Sequence, residues 1–214
     1  TLLAEMVEAQ VCYAIIESTS HALALDRVTD CDYDVAVFTN LTSDHLDFHG
    51  TCDQYLRDKA RLFQLLAVSY DKGVPKVSVL NADDPASAIL RQMSPPQVVT
   101  YGLKGEAEVF AREVRLTGSG TTCQVVTPVG TCELHLQMPG LFNVYNGLAA
   151  VAVGLSQRVD LDLICDALGR VAGVPGRMER IDRGQPFTVI VDYAHTADSL
   201  RKVLETVRPL TAGR

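Results

Sequence analysis

What most constrains this chain is a series of short apolar segments, each closed by a polar loop and followed by a helical pattern. Residues 34–38 (DVAVF) and 77–80 (VSVL) are apolar almost throughout. A strand apolar on both sides must be covered on both sides, as a parallel strand between helices is. Helix signals follow each one. Thr51 and Gln54 stand in capping-box spacing ahead of a helix expected over 53–68. Asn81-Ala82-Asp83-Asp84-Pro85 breaks the chain and starts a helix over Ala86–Met93. Residues 11–16 (VCYAII) read as a further buried strand, preceded by a helix over 1–10 with Leu2, Leu3, Met6 and Val7 on one side. This alternation predicts an α/β fold with a mostly parallel, covered sheet.

The texture changes between about 105 and 138. Segments 109–116, 122–126 and 131–137 alternate apolar and polar residues, separated by Gly118-Ser119-Gly120 and Pro128-Val129-Gly130. That pattern predicts a small antiparallel meander. Helices return at 144–155 and 161–168. Gly173-Val174-Pro175-Gly176 and Arg183-Gly184-Gln185-Pro186 read as an interdomain connection. The expected division is therefore 1–176 and 177–214. The second part opens a new βα unit, with a buried strand over 187–191 and a helix over 197–207.

Composition excludes some functions. Nineteen basic against 26 acidic residues give a net charge of −7, a poor basis for nonspecific binding to nucleic acid or anionic membrane. No apolar run approaches the ~18 residues of a membrane span, and no signal segment opens the chain. No nucleic-acid partner, no membrane insertion and a cytoplasmic location are expected. The six cysteines form no C-x-x-C pair; reduced, buried thiols are expected rather than a disulfide framework.

Several clusters carry chemistry. Glu17-Ser18-Thr19-Ser20-His21 follows the expected strand 11–16, the end at which open α/β sheets hold ligands. A carboxylate there is a natural Mg²⁺ ligand, and a polar turn is the plain alternative. Residues 39–50 (TNLTSDHLDFHG) bring two His and two Asp to the next such loop. Lys59 shares a helical face with Tyr55, Leu62, Phe63 and Leu66. Its amine either snorkels to water, the plainer reading, or, desolvated and deprotonated, adds CO₂ to become an anionic carbamate. Asn143 and Asn146 enter a helix three apart, suited to a base edge or to capping. Arg177 offers a planar fork for phosphate. Asp192 and His195 lie just before a helix N-terminus, where a hinge turn capped by Thr196 is the alternative.

Read in order, ESTSHAL (17–23), TNLTSDHLDFHG (39–50), YLRDKARLF (55–63), LNADDP (80–85), GLFNVYNGLAA (140–150), GRMERI (176–181) and DYAHTADSL (192–200) resemble the Mur ligase family. They are most similar to its tripeptide-synthetase branch. The resemblance implies a central ATP-binding domain followed by the first βα unit of a Rossmann-like C-terminal domain. It implies an ATP-dependent ligase that joins a diamino acid, meso-diaminopimelate or L-lysine, to the UDP-MurNAc-dipeptide UDP-MurNAc-L-Ala-D-Glu through an acyl phosphate, as a monomer. By position, Glu17, His45 and Lys59 match Mg²⁺ ligands, with Lys59 carbamylated. Thr19 and Arg27 match substrate contacts. Asn143, Asn146, Arg177, Asp192 and His195 match residues that approach ATP. Leu25 and Ala197 depart from the family pattern, where a polar contact and a Pro are usual. No G-x-x-x-x-G-K-[ST] occurs, so an internal piece, inactive by itself, is expected. A binding remnant and a Mur-type ligase with another substrate are the alternatives.

Overall fold

The computed structural model describes residues 2–41, 46–104, 106–118 and 120–208, and only the backbone of 46 and 47. Its centre is one six-stranded sheet in sequential order: β1 (Val35–Phe38), β2 (Val77–Asn81), β3 (Gln97–Gly102), β4 (Val109–Thr117), β5 (Gly120–Thr127) and β6 (Gly130–Leu136). β1 to β4 run parallel, and β4 to β6 antiparallel. The parallel pairing of β3 with β4 is only two residues long, Tyr101 with Val109 and Gly102 with Phe110. The expected antiparallel meander is thus present and continues the main sheet beyond the carboxyl end of β3.

Helices cover both faces. The helix α4 (Cys52–Val68) and the helix α5 (Ala86–Met93) pack on one side, where Ala36, Phe38, Phe63, Leu66, Leu80 and Leu90 meet. On the other side α6 (Leu141–Ser156) and α7 (Leu161–Gly169) close over Val77, Val79, Val109, Val125 and Leu134. Alternate residues of β2 feed the two cores, and all five are buried. Gly154 permits the closest helix contact: a Cβ there would lie 2.6 Å from Ile164 Cδ1.

Caps explain several helix starts. Thr51 accepts from Gln54 N–H at α4, although the Gln54 side chain reaches Asp58 instead of returning to the cap. The capping box read from spacing is therefore half made. Asp160 caps α7 through the N–H groups of Asp162 and Leu163.

Two expected strands differ. Residues 11–16 follow α1 (Leu2–Glu8) but form no strand, and Ile15 is 97% exposed. No described strand offers them a ladder, so their apolar pattern has nothing to pair with. The expected buried strand 187–191 shrinks to β8 (Val189–Val191). It pairs only with β7 (Glu179–Ile181), and α8 (Ala197–Val207) has no buried residue. With one neighbour and no packed helix, it stays half-exposed. Two short helices flank β1: α2 (Ser20–Ala24) precedes it, and α3 (Leu46–His49) follows it, ahead of α4.

Cysteine usage is also corrected. Cys132 of β6 and Cys165 of α7 are joined in a disulfide, and Cys12 and Cys52 are exposed rather than buried. Cys123 alone fits the expectation, with burial pushing its thiol up to about 11. Since the thiolate is the reacting species, Cys12 and Cys52 should alkylate in the native protein at pH 8 while Cys123 labels only on unfolding. Peptide mapping after iodoacetamide checks this; native labelling of Cys123 would contradict the packing.

Candidate active site

The polar groups gather where the parallel strands end. Beyond β2, Asn81 donates to Thr39 O and accepts from Asp83 N–H, tying the ends of β1 and β2 together. The Asp84 carboxylate accepts from Leu41 N–H at 2.7 Å and Ala86 N–H at 2.9 Å, starting α5. Asp83 Oδ2 accepts from Leu103 N–H and from the Tyr145 hydroxyl, each at 2.7 Å. Tyr101 donates across the strand ends to Phe38 O. Burial, followed by the Asp83 bond, raises the Tyr145 phenol well above its ordinary value. Gly102 matters here, because a Cβ would press on the Asp83 carboxylate at 3.0 Å. Asp83 thus docks α6 onto the loop after β2.

Lys59 is half-buried on α4, its Nζ 5.0 Å from the centre of the Tyr55 ring. No described residue accepts a hydrogen bond from it. Burial lowers its pKa, and the nearby Asp84 carboxylate opposes that shift. The buried stripe of α4 differs from the expected one: it runs through Tyr55, Asp58, Ala60, Phe63 and Leu66. Asp58 is drawn inward because His49, fully buried, binds it at 2.7 Å.

The remaining predicted residues divide by location. Thr19 is the N-cap of α2, accepting from Ala22 N–H. Glu17 and Arg27 are exposed. His45 lies outside the described residues. Asn143 and Asn146 do come together, Asn146 Nδ2 donating to Asn143 Oδ1 at 3.3 Å. Asn143 also donates to Pro139 O, so the plainer cap-like role is partly realised. Asn143 is buried, whereas Asn146 is exposed.

A second cluster joins the hinge to α8. The Arg177 guanidinium lies 4.9 Å from the Tyr193 ring centre, and His195 meets that ring edge-on at 4.9 Å. His195 Nδ1 donates to Tyr193 O. Asp192 accepts from Met178 N–H and Ala194 N–H, which clamps the 176–178 turn to the end of β8. Thr196 and Ser199 form a full capping box at α8. The hinge turn thus leaves the Arg177 guanidinium exposed beside the Tyr193 ring.

Chemistry tests the implied Mg²⁺. Among the described residues no group of three His, Cys, Asp or Glu is placed to hold a metal. A bare Lys59 ammonium would repel a cation, whereas its carbamate would be a hard oxygen donor like the Glu17 carboxylate. Only the neutral amine adds CO₂, and burial lowers the Lys59 pKa in that direction. By donor chemistry a Lys59 carbamate with the Glu17 carboxylate would suit Mg²⁺, but the described residues do not bring such a set together.

Sequence reading missed Asn81, Asp83, Asp84, Tyr101 and Tyr145 as a node, and the pairing of His49 with Asp58. Two adjacent aspartates immediately after a buried strand were the available signal.

A mostly parallel sheet with helices on both faces and polar loops at its carboxyl end defines an open α/β architecture of the kind that holds ligands at that edge. The chain belongs to the Mur ligase family: residues 1–154 match the Mur ligase middle domain and 176–214 the Mur ligase glutamate ligase domain. It is 46% identical over 98% of its length to the UDP-N-acetylmuramoyl-L-alanyl-D-glutamate–2,6-diaminopimelate ligase of Bacillus velezensis, covering 43% of that protein. It is 48% identical to the UDP-N-acetylmuramyl-tripeptide synthetase of a Roseiflexus species, again covering 43%. Among solved structures, a UDP-N-acetylmuramoyl-L-alanyl-D-glutamate–2,6-diaminopimelate ligase matches with a TM-score of 0.75 and 33% identity. That match covers 92% of this chain and 40% of the other. The chain thus spans under half the length of these relatives. Among the described residues no helix is long and apolar enough to cross a membrane.

Proposed function

We propose that, within the full-length protein, this chain forms the catalytic centre of an ATP-dependent ligase that joins a diamino acid to UDP-MurNAc-L-Ala-D-Glu. The observation that carries the reading is Lys59: a desolvated amine at the carboxyl end of a parallel sheet, facing Asp84 and lacking a described hydrogen-bond acceptor. Residues 1–176 serve as the ATP-binding domain, and 177–214 begin the domain that closes over it.

In this reading Glu17, His45 and carbamylated Lys59 hold Mg²⁺. When bound there, the ion would supply electrostatic neutralisation of phosphoryl and carboxylate oxygens. Thr19 and Arg27 bind the UDP-MurNAc-dipeptide. Asn146 reads the adenine edge from a position held by Asn143. Arg177 meets the phosphates, its plane steadied by Tyr193. Asp192 and His195 fix the hinge loop so that Arg177 arrives with the closing domain. The carboxylate attacks the γ-phosphate, ADP leaves, and the amine of the diamino acid displaces phosphate from the acyl phosphate.

A coupled assay of ADP release from the full-length protein tests this. Release should require UDP-MurNAc-L-Ala-D-Glu together with meso-diaminopimelate or L-lysine. ADP release that needs neither would overturn the reading, as would dependence on an unrelated carboxylate acceptor.

A further inference from the structure

The fold buries one polar cluster that the proposed chemistry does not use. His49, at the end of α3, has a fully buried side chain with both ring nitrogens engaged. Nδ1 lies 2.7 Å from Asp58 Oδ2, and Nε2 lies 2.9 Å from Ser20 Oγ. Gln54 donates to the other Asp58 oxygen at 3.0 Å. A carboxylate only accepts, so the ring proton belongs on Nδ1, and Nε2 accepts from the Ser20 hydroxyl. Tyr55 stacks on the ring at 4.8 Å and 23°.

The order Ser–His–Asp matches that of a nucleophilic triad, but Ser20 is 3% exposed and has no open face for a substrate. Its partners are more telling. Ser20 directly follows Thr19, the residue read as a substrate contact and the N-cap of α2. Asp58 directly precedes Lys59 on α4. A single imidazole therefore spans two segments that are far apart in sequence and each one residue from a proposed site residue.

We propose that His49 is a positioning residue of the ligase: it holds the Thr19 turn against the helix that carries Lys59. The inference rests on the proposed function above. Its physical basis is that a rigid ring fixes both separations at once, and small misplacements of reacting groups are costly to rate. The two arms also have separable consequences. Loss of the Ser20 arm frees the Thr19 turn, while loss of the Asp58 arm frees α4 beside Lys59.

The test uses the full-length protein with Ser20→Ala, Ser20→Thr, Asp58→Asn and His49→Gln, each first checked for folding by thermal unfolding. Ser20→Ala should raise KM for the UDP-MurNAc-dipeptide about tenfold, the equivalent of one hydrogen bond, and leave KM for ATP within about twofold. Ser20→Thr, which keeps the hydroxyl, should restore most of the affinity. Asp58→Asn should act mainly on kcat. A general loss of packing would instead lower stability and move both KM values together. If His49→Gln fails to fold, Ser20→Ala and its Thr rescue decide the question. Kinetic constants of the folded variants within twofold of wild type would overturn the proposal, as would equal rises in both KM values or no rescue by Thr. A wild-type protein without ligase activity would instead overturn the proposed function on which it rests.

Discussion

Lys59→Ala is expected to lower kcat of the full-length ligase by about a thousandfold, the scale of losing one preorganised electrostatic group. The side chain is half-buried and its amine has no acceptor among the described residues, so the substitution breaks no described hydrogen bond. Thermal stability should therefore change far less than rate. Burial lowers the Lys59 pKa and Asp84 opposes it. The neutral amine, the form that captures CO₂, thus becomes available at lower pH than on a free lysine. Carbamate formation should rise as pH rises through the folded-state pKa. The linkage has the same sign: in the window between the depressed folded value and the ordinary 10.5, the unfolded chain binds more protons, so stability increases with pH. Added bicarbonate should raise the activity of decarbonated wild type, and a short carboxylate should partly restore Lys59→Ala. Wild-type kcat in Lys59→Ala would sink the carbamate and the metal set together.

The parallel core was legible because its signals are local. β2 is apolar on both faces, the Asn81–Pro85 break follows it, and α5 begins at the residue expected. The meander showed itself by alternation and by glycine turns. β3 escaped because Gln97-Val98-Val99-Thr100-Tyr101-Gly102 follows a Pro pair and is only partly buried. What makes it a strand is the free edge of β2, a partner about twenty residues away. The reverse error befell residues 11–16, whose pattern is strong but whose ladder is lacking among the described residues. Pattern states that a segment can bury both faces, and only pairing makes it a strand.

The candidate site divides the same way. Asn143 and Asn146 share a helix face, so their contact follows from spacing. The bond from Tyr145 to Asp83 joins residues 62 positions apart, and the bond from His49 to Ser20 joins residues 29 apart. Neither separation leaves a mark in one sequence. The burial of Asp58 leaves no mark in the helix pattern because its partner, His49, belongs to a different element. The motif 39–50 therefore proved to hold at least one histidine with a packing role, a division that clustering by type does not resolve.

Phe63→Ala is expected to destabilise the protein by about 3–5 kcal/mol, the usual range for emptying a buried aromatic site. Phe63 lies on α4 one turn beyond Lys59, is 1% exposed, and packs among Ala36, Phe38, Leu66, Leu80 and Leu90. That cluster seats α4 on the sheet, and its members belong to β1, β2, α4 and α5, which cannot easily collapse into the space. Against a total stability of about 5–15 kcal/mol for an ordinary domain, the loss approaches unfolding. Phe63→Leu keeps most of the volume and should lose under about 1.5 kcal/mol. Leu204→Ala on α8, where the side chain is 67% exposed, should stay within about 0.5 kcal/mol. Urea unfolding resolves the three, with the midpoint falling and the slope unchanged if only the folded state is affected. Well below its midpoint, Phe63→Ala should retain catalysis that Lys59→Ala lacks, since it weakens the seat of the helix without removing the amine. A Phe63→Ala midpoint equal to that of Leu204→Ala would show that α4 is held by something other than this core.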